Sequence, residues 1–256
     1  MMIEGKVYNR LLKTRKQRGG GLLLLIDPDR TTESEYISLA EAAMECGVDA
    51  ILVGSSFMLN TNFTSAVRQI KAVTSLPVII FPGSFAQVTP DADAILFTSL
   101  ISGRNPNYLI DEQVRGAPLV KKYGLETIPT GYMLIESKTQ TSVQYISGTQ
   151  PIPRTKHDIA CAHALAAQYL GMKLVYLEAG SGAEQPVPEG MIHAVASYVD
   201  IPILVGGGLT TPEECAFKIG AGASFVVAGN ALENDPGLSR LTEMAIATHT
   251  MESVAV

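Results

Sequence analysis

Tyr176 and Glu178 stand two residues apart in the run "YLEAGSGA", followed by Ala179, Gly180, Ser181 and Gly182. In a strand, residues i and i+2 share a face, so the phenol and the carboxylate point the same way. A carboxylate at a strand's end suits a general base. Within an apolar strand such a charge is costly unless it is used or paired, which favours chemistry over packing. The small residues behind it can wrap an anion. Two more glycine-rich runs follow: "VGGGLTTPEE" with Gly206, Gly207 and Gly208, then "AGNA" with Gly229 and Asn230. Thr210 or Thr211, Pro212, Glu213 and Glu214 read as a helix start, and bare N–H groups at a helix start bind anions. One such loop is equally well a tight turn. Three in succession, about one strand-and-helix unit apart, converge on one phosphate.

A second group lies earlier in the chain. "DPDR" sets Asp27 and Asp29 just behind an apolar run, and "GSSF" brings Gly54, Ser55 and Ser56 behind the next. Carboxylates with a few hydroxyls suit a hard cation such as Mg2+, which takes few protein ligands. An Asp-Pro-Asp turn accounts for the first motif alone. His157, His163, His193 and His249 show no ligand spacing, and no GxSxG or Cys–His arrangement supports acyl transfer.

Loops so placed need elements behind them. Short Val/Ile/Leu runs at Leu22–Ile26, Ala50–Val53, Val78–Phe81, Ala94–Thr98, Glu126–Ile135, Lys173–Leu177, Pro202–Val205 and Phe225–Ala228 read as strands buried on both faces. Amphipathic patterns at Glu33–Cys46, Asn62–Val73, Asn107–Tyr123, Thr155–Leu170, Pro188–Tyr198, Pro212–Ile219 and Pro236–Thr248 read as helices, with an extra one at about Lys6–Lys16. Eight strands with intervening helices in 256 residues predict a single (β/α)8 barrel domain over 1–256. An open doubly wound sheet fits the even spacing less well. Barrel active sites sit in the loops after the strands, and the loops after strands 7 and 8 often hold phosphate. One unit is short: "PGSFAQVTPDAD" leaves little room for a third outer helix, so that helix is expected to be short or replaced, leaving a groove or a merely degenerate helix. The polar run "ESKTQTSVQYISGTQPIP" after the fifth strand is a lid or an oligomer contact.

Composition narrows the function classes. Apolar residues make up 46% of the chain and charged ones 17%, with net charge −6 and no long basic run, so nucleic acid is not an expected partner. The scattered Cys46, Cys161 and Cys215 suit reduced, packed thiols and a cytoplasmic location. No apolar run approaches the length of a membrane span.

"LLIDPDR", "DAILVGSS", "VIIFPGS", "AILFTSLISGRNPNYLI", "YLEAGSGA", "VGGGLTTPEE" and "VVAGNALE" together resemble the geranylgeranylglyceryl phosphate synthases and their heptaprenylglyceryl phosphate relatives, from about Leu22 to Glu233. The resemblance implies a TIM barrel whose third helix is an irregular segment. It implies alkylation of the 3-hydroxyl of sn-glycerol 1-phosphate by a prenyl diphosphate, most simply geranylgeranyl, with release of diphosphate. It places glycerol phosphate against Tyr176, Leu177, Glu178, Ala179, Gly180, Ser181, Gly182, Gly206, Gly207, Gly208, Gly229 and Asn230. Glu178 is the implied base, with Tyr176 beside it, and Mg2+ is implied at Asp27 and Ser56. Ser55 stands where the family has glycine, so the hydroxyl is on Ser55 or Ser56. Homo-oligomers, dimers or hexamers, and a peripheral membrane contact for the lipid product complete the expectation. Two rivals remain: a sugar-phosphate isomerase with acids after strands 1 and 5, and a phospho-ligand-binding scaffold.

Overall fold

Eight parallel strands close in sequence order, β1 next to β2 and on to β8, which pairs back to β1. The computed structural model describes residues 5–59, 62–229 and 238–250. The strands are β1 Leu22–Ile26, β2 Ala50–Val53, β3 Val78–Ile80, β4 Ala94–Leu100, β5 Glu126–Leu134, β6 Leu174–Glu178, β7 Ile203–Gly206 and β8 Phe225–Ala228. Around them lie α2 Glu33–Ala42, α3 Phe63–Val73, α4 Glu112–Tyr123, α5 Ser142–Ser147, α6 His157–Tyr169, α7 Glu189–Ala196, α8 Pro212–Gly220 and α9 Ser239–Thr248, with α1 Lys6–Arg18 ahead of the barrel. The expected start of the last helix at Pro236 lies outside the described residues. The (β/α)8 reading therefore stands.

Period-2 alternation splits the apolar residues into two sets. Leu23, Leu52, Ile79, Leu96, Tyr132, Tyr176 and Leu204 fill the barrel interior. Leu24, Ile51, Ile95, Met133, Val175, Leu177 and Val205 pack outward against the helices. Val7 and Leu11 of α1 belong to the inner set, so α1 plugs the end of the barrel opposite the strand C-termini. Its start is capped from far away. Glu126, at the first position of β5 and 4% exposed, accepts from the backbone N–H groups of Val7 and Tyr8, each at 2.8 Å. These are donors that a helix start leaves unpaired. Glu126→Ala is expected to lower stability by roughly 1–3 kcal/mol, the cost of leaving buried donors unsatisfied. Urea unfolding measures this, and an unchanged midpoint would refute the capping role.

Several boundaries differ from the expected ones: β3 and β5 end one residue earlier, at Ile80 and Leu134, β4 runs on to Leu100, and the helix expected from Thr155 starts at His157. Four others have a reason in pairing or turn geometry. β6 and β7 each extend one residue further than the apolar run, because Glu178 pairs in register with Gly206. The helix expected from Asn107 begins instead as one wide π-turn, Asn107–Asp111, before α4. Ser99 Oγ and Gln113 Nε2 donate to the carbonyls of Leu109 at 2.8 Å and Tyr108 at 3.1 Å. The helix expected to reach Cys46 ends at Ala42, with Gly47 turning the chain at φ 86°. Thr211 caps α8 with Glu214 in a capping box and Pro212 opens the helix, as the sequence suggests.

Between β3 and β4 the chain forms only a three-residue 3-10 turn, Phe85–Gln87. The third outer helix is absent, and on the outer face of β4 Ile95 is buried while Phe97 is only partly so.

Candidate active site

Two cavities meet at the C-terminal end of the barrel. The larger one holds about 1320 Å3 of empty space, its open mouth included. It starts at Asp27 and Ser56 and runs out past Ile95 and Phe97, which face outward on β4, to Phe85, Val88 and Gly116. This is the place of the missing helix, so the groove reading of the short unit holds. Its walls are mainly apolar. The smaller cavity is lined by Tyr176, Glu178, Ser181, Gly182, Gly207, Gly208 and Thr210. Ser56, Phe81, Tyr132, Ser181 and Gly229 border both.

Glu178 is 5% exposed and points into the barrel mouth from the last position of β6. Burial pushes its carboxyl up to about 7, against the opposing pull of the Tyr176 hydroxyl and the Gly180 amide. The Gly180 N–H donates to Oε1 at 2.7 Å. Tyr176 is fully buried, and its Oη acts on the Glu178 carboxylate beside it without making a hydrogen bond of ordinary geometry. Glu178 is not an ion-pair partner of Lys173, which stands just before the start of the same strand. Lys173 Nζ lies 5.2 Å over the ring of Tyr8 in α1, at the opposite end of the barrel from Glu178.

Glycines make room for this pair. A methyl on Gly206 would overlap Tyr176 Oη and stand 2.8 Å from Glu178 Oε2. A methyl on Gly207, at φ 86°, would run into Glu178 Oε1 and stand 2.6 Å from the Gly180 nitrogen. The strand 7 glycines are thus explained first by the carboxylate that leans over them. A side chain on Gly180, at φ 101°, would run into Thr141, which brings the segment after β5 onto the site. That segment folds into α5, whose Val143 borders both cavities and whose Ile146 lines the larger one. It forms part of the mouth's wall.

The other expected residues divide by face. Leu177 and Ala179 belong to the outward-packed set and line neither cavity, a correction that follows from period-2 alternation with Tyr176 and Glu178 facing in. Gly180 and Gly206 shape the site from behind. Asn230 lies outside the described residues. Asp27 borders the larger cavity with a side chain 17% exposed. Burial raises its pKa above the usual carboxylate value, offset by the Asp29 amide at 3.0 Å, the Ser55 hydroxyl and Arg30. Ser55 is buried and faces Asp27, whereas Ser56 is exposed and borders both cavities. Among the described residues no group of three or more His, Cys, Asp or Glu is placed to hold a metal.

Two contributors escaped the sequence reading. Phe81 and Tyr132 form a ring cluster with Tyr176, with centroids 5.1 Å (Phe81–Tyr176), 5.4 Å (Tyr132–Tyr176) and 5.7 Å (Phe81–Tyr132) apart. Tyr132 pairs in register with Tyr176. The period-2 pattern within β5 was the available signal, but without the register it names no neighbour.

The sequence profile of the PcrB family matches residues 12–250. The chain belongs to the PcrB family. A geranylgeranylglyceryl phosphate synthase of Chitinophaga pinensis is 43% identical over 252 residues, 98% of this chain and 99% of that one. The Pyrococcus horikoshii protein of the same name is 46% identical over 237 residues, 92% and 91% of the two chains. Among solved structures, the (S)-3-O-geranylgeranylglyceryl phosphate synthase of Thermoplasma acidophilum, in complex with its substrate sn-glycerol 1-phosphate, superposes with a TM-score of 0.89. It is 35% identical and covers 96% of this chain and 99% of its own.

Proposed function

We propose that the protein is a geranylgeranylglyceryl phosphate synthase: it joins the 3-hydroxyl of sn-glycerol 1-phosphate to a geranylgeranyl group and releases diphosphate. One observation carries the reading. A buried carboxyl poised near neutrality stands where a glycine-lined polar cavity meets a long apolar groove. The polar cavity suits a small phosphate ester, and the groove suits an isoprenoid chain. The isomerase alternative lacks its second acid. Glu136, behind β5, is exposed and holds the backbone N–H of Arg154 at 3.2 Å.

The chemistry follows from the placement. The phosphate end is held by the loops after β6, β7 and β8, with Ser181, Gly207, Gly208 and Gly229 on the walls. This pins the far hydroxyl near Glu178, whose Oε2 takes its proton as the ether bond forms and the allylic C–O bond to diphosphate breaks. Tyr176 Oη, buried beside that carboxylate and held in no hydrogen bond of ordinary geometry, supplies a hydroxyl to orient the reacting oxygen. Phe81 and Tyr132 wall the reaction off from water. Holding both substrates in line contributes much of the rate.

Mg2+ fits the residues at the other side. Asp27 is a partly desolvated carboxylate on the groove wall, with the Ser55 hydroxyl facing it and Ser56 at the junction. One carboxylate and a hydroxyl are too few for a complete protein site, which suits a cation that completes its shell with diphosphate and water. When bound, Mg2+ neutralises the departing diphosphate. Ether formation should then stop in EDTA and return with Mg2+, and Asp27→Asn should need more Mg2+ for half-maximal rate. Activity that persists without divalent metal would remove this part of the reading.

A base with a pKa of about 7 must be ionised to work. The kcat/KM profile should therefore rise with pH through a limb near 7 and level off above it. A profile flat from pH 5 to 9 would exclude Glu178 as the base. The function itself is tested by mixing the protein with Mg2+, sn-glycerol 1-phosphate and labelled prenyl diphosphates of different length and looking for the ether product. A homo-oligomer and a passing contact with a lipid surface belong to the same proposal. Exposed Phe57 and Leu59, in the loop after β2, and Tyr145, on α5, are apolar residues available for either.

A further inference from the structure

The 3-10 turn that stands in for the third outer helix carries one buried polar side chain with an unusual set of partners. Gln87 is 1% exposed. Its Nε2 donates to the Ser55 carbonyl at 2.7 Å, and its Oε1 accepts from the Ser55 N–H at 3.3 Å and the Gly83 N–H at 3.1 Å. The amide therefore engages both backbone groups of residue 55, as a neighbouring strand would, and ties them to the loop after β3. Underneath, the two loops touch backbone to backbone. Any side chain at Gly54 would collide with the Phe81 carbonyl, and any at Gly83 with the Ser55 carbonyl. Ser55 Oγ in turn donates to the Phe57 carbonyl at 3.1 Å and faces Asp27.

Packing alone does not call for this arrangement. An apolar side chain would fill the same volume, and a buried amide is costly unless its bonds are made. Here the bonds are made, and they go to the backbone of two loops that border the site: one carries Ser55 and Ser56 beside Asp27, the other begins at Phe81.

We propose that Gln87 is a positioning residue for the diphosphate half of the reaction, an inference that rests on the function proposed above. It holds the Ser55 hydroxyl against Asp27, sets Ser56 at the junction, and keeps Phe81 in place as the wall between the cavities. The glycerol phosphate half is formed by the loops after β6, β7 and β8, which Gln87 does not touch. Loss of the amide therefore acts on one substrate and spares the other, whereas a general loss of structure would weaken both.

Calorimetric titration separates these. Wild type, Gln87→Met and Gln87→Glu are titrated with inorganic pyrophosphate in the presence of Mg2+ and, separately, with sn-glycerol 1-phosphate. Gln87→Met fills the volume and removes all three bonds. Gln87→Glu keeps the acceptors and sets a carboxylate against the Ser55 carbonyl. Both variants are expected to weaken pyrophosphate binding about 10- to 100-fold, the usual effect of losing a group that orients a ligand-bearing residue. Glycerol phosphate affinity should stay within about two-fold of wild type. Equal losses for the two ligands, or undiminished pyrophosphate binding by folded Gln87→Met, overturn the proposal. Should Gln87→Met not fold, Gln87→Glu decides: unchanged pyrophosphate affinity there overturns it. A wild-type protein that binds neither ligand overturns the proposed function, and this inference with it, before any variant is read.

Discussion

Glu178→Gln is expected to slow single-turnover ether formation by ~10²–10⁴, the usual contribution of a general base, while making the protein harder to unfold at pH 8. The two effects share one cause. Burial holds the carboxyl at about 7 in the folded protein, against 4.5 for the ordinary group. Between those values the folded state keeps a proton that the unfolded chain has lost. Stability therefore falls as pH rises from 4.5 to 7, and the full penalty stands above 7. A shift of this size corresponds to about 3 kcal/mol. Glutamine carries no charge to desolvate and can still accept from the Gly180 N–H. Its gain should be present at pH 8, shrink through the window and vanish near pH 4.5. Urea unfolding at pH 5 and pH 8, together with rapid-quench turnover on the same preparations, measures both. A variant that is less stable at both pH values yet retains near-normal chemistry would make Glu178 a structural residue.

The second large effect concerns the groove. Gly116 lies within α4, where glycine costs about 1 kcal/mol relative to alanine, yet the helix carries it on the face that lines the cavity. A Cβ there would meet only Phe85 Cβ at 3.6 Å and Val88 Cγ2 at 3.7 Å, both ordinary contacts. Larger side chains therefore extend into the groove rather than into the core. Gly116→Phe should leave the helix intact and obstruct the part of the groove outside the barrel wall. Overpacking costs of 1–3 kcal/mol correspond to roughly a 5- to 150-fold loss of kcat/KM with a twenty-carbon prenyl diphosphate. A ten-carbon diphosphate, which does not reach that far, should be used about as well as before. Equal losses with both lengths would show that the prenyl chain does not run past Gly116.

The architecture was readable because a barrel is made of local signals. β1, β2 and β8 begin and end where their apolar runs do, since strands covered on both faces need apolar residues throughout. The missing helix showed as a stretch too short and too rich in proline and glycine to form one. The shared face of Tyr176 and Glu178 followed from the two-residue period. The same period sends Leu177 and Ala179 outward, so their place in the glycine-rich motif is that of backbone and outer packing.

What stayed hidden depends on which distant residues the closed sheet brings together. Tyr132 meets Tyr176 through the β5–β6 register, which no run of either sequence states. Glu126 caps a helix through the N–H of Val7, 119 residues earlier, because the plug crosses the barrel's end. Gln87 looks like any polar residue in a turn until two loops close around it. The glycines at 206 and 207 read as openings for a phosphate, and in the fold the side-chain space above them belongs to Glu178. Charge followed the same rule. A glutamate has an ordinary pKa in sequence, and only enclosure by the barrel mouth, which the Tyr176 hydroxyl and the Gly180 amide offset in part, brings that carboxyl close to neutrality.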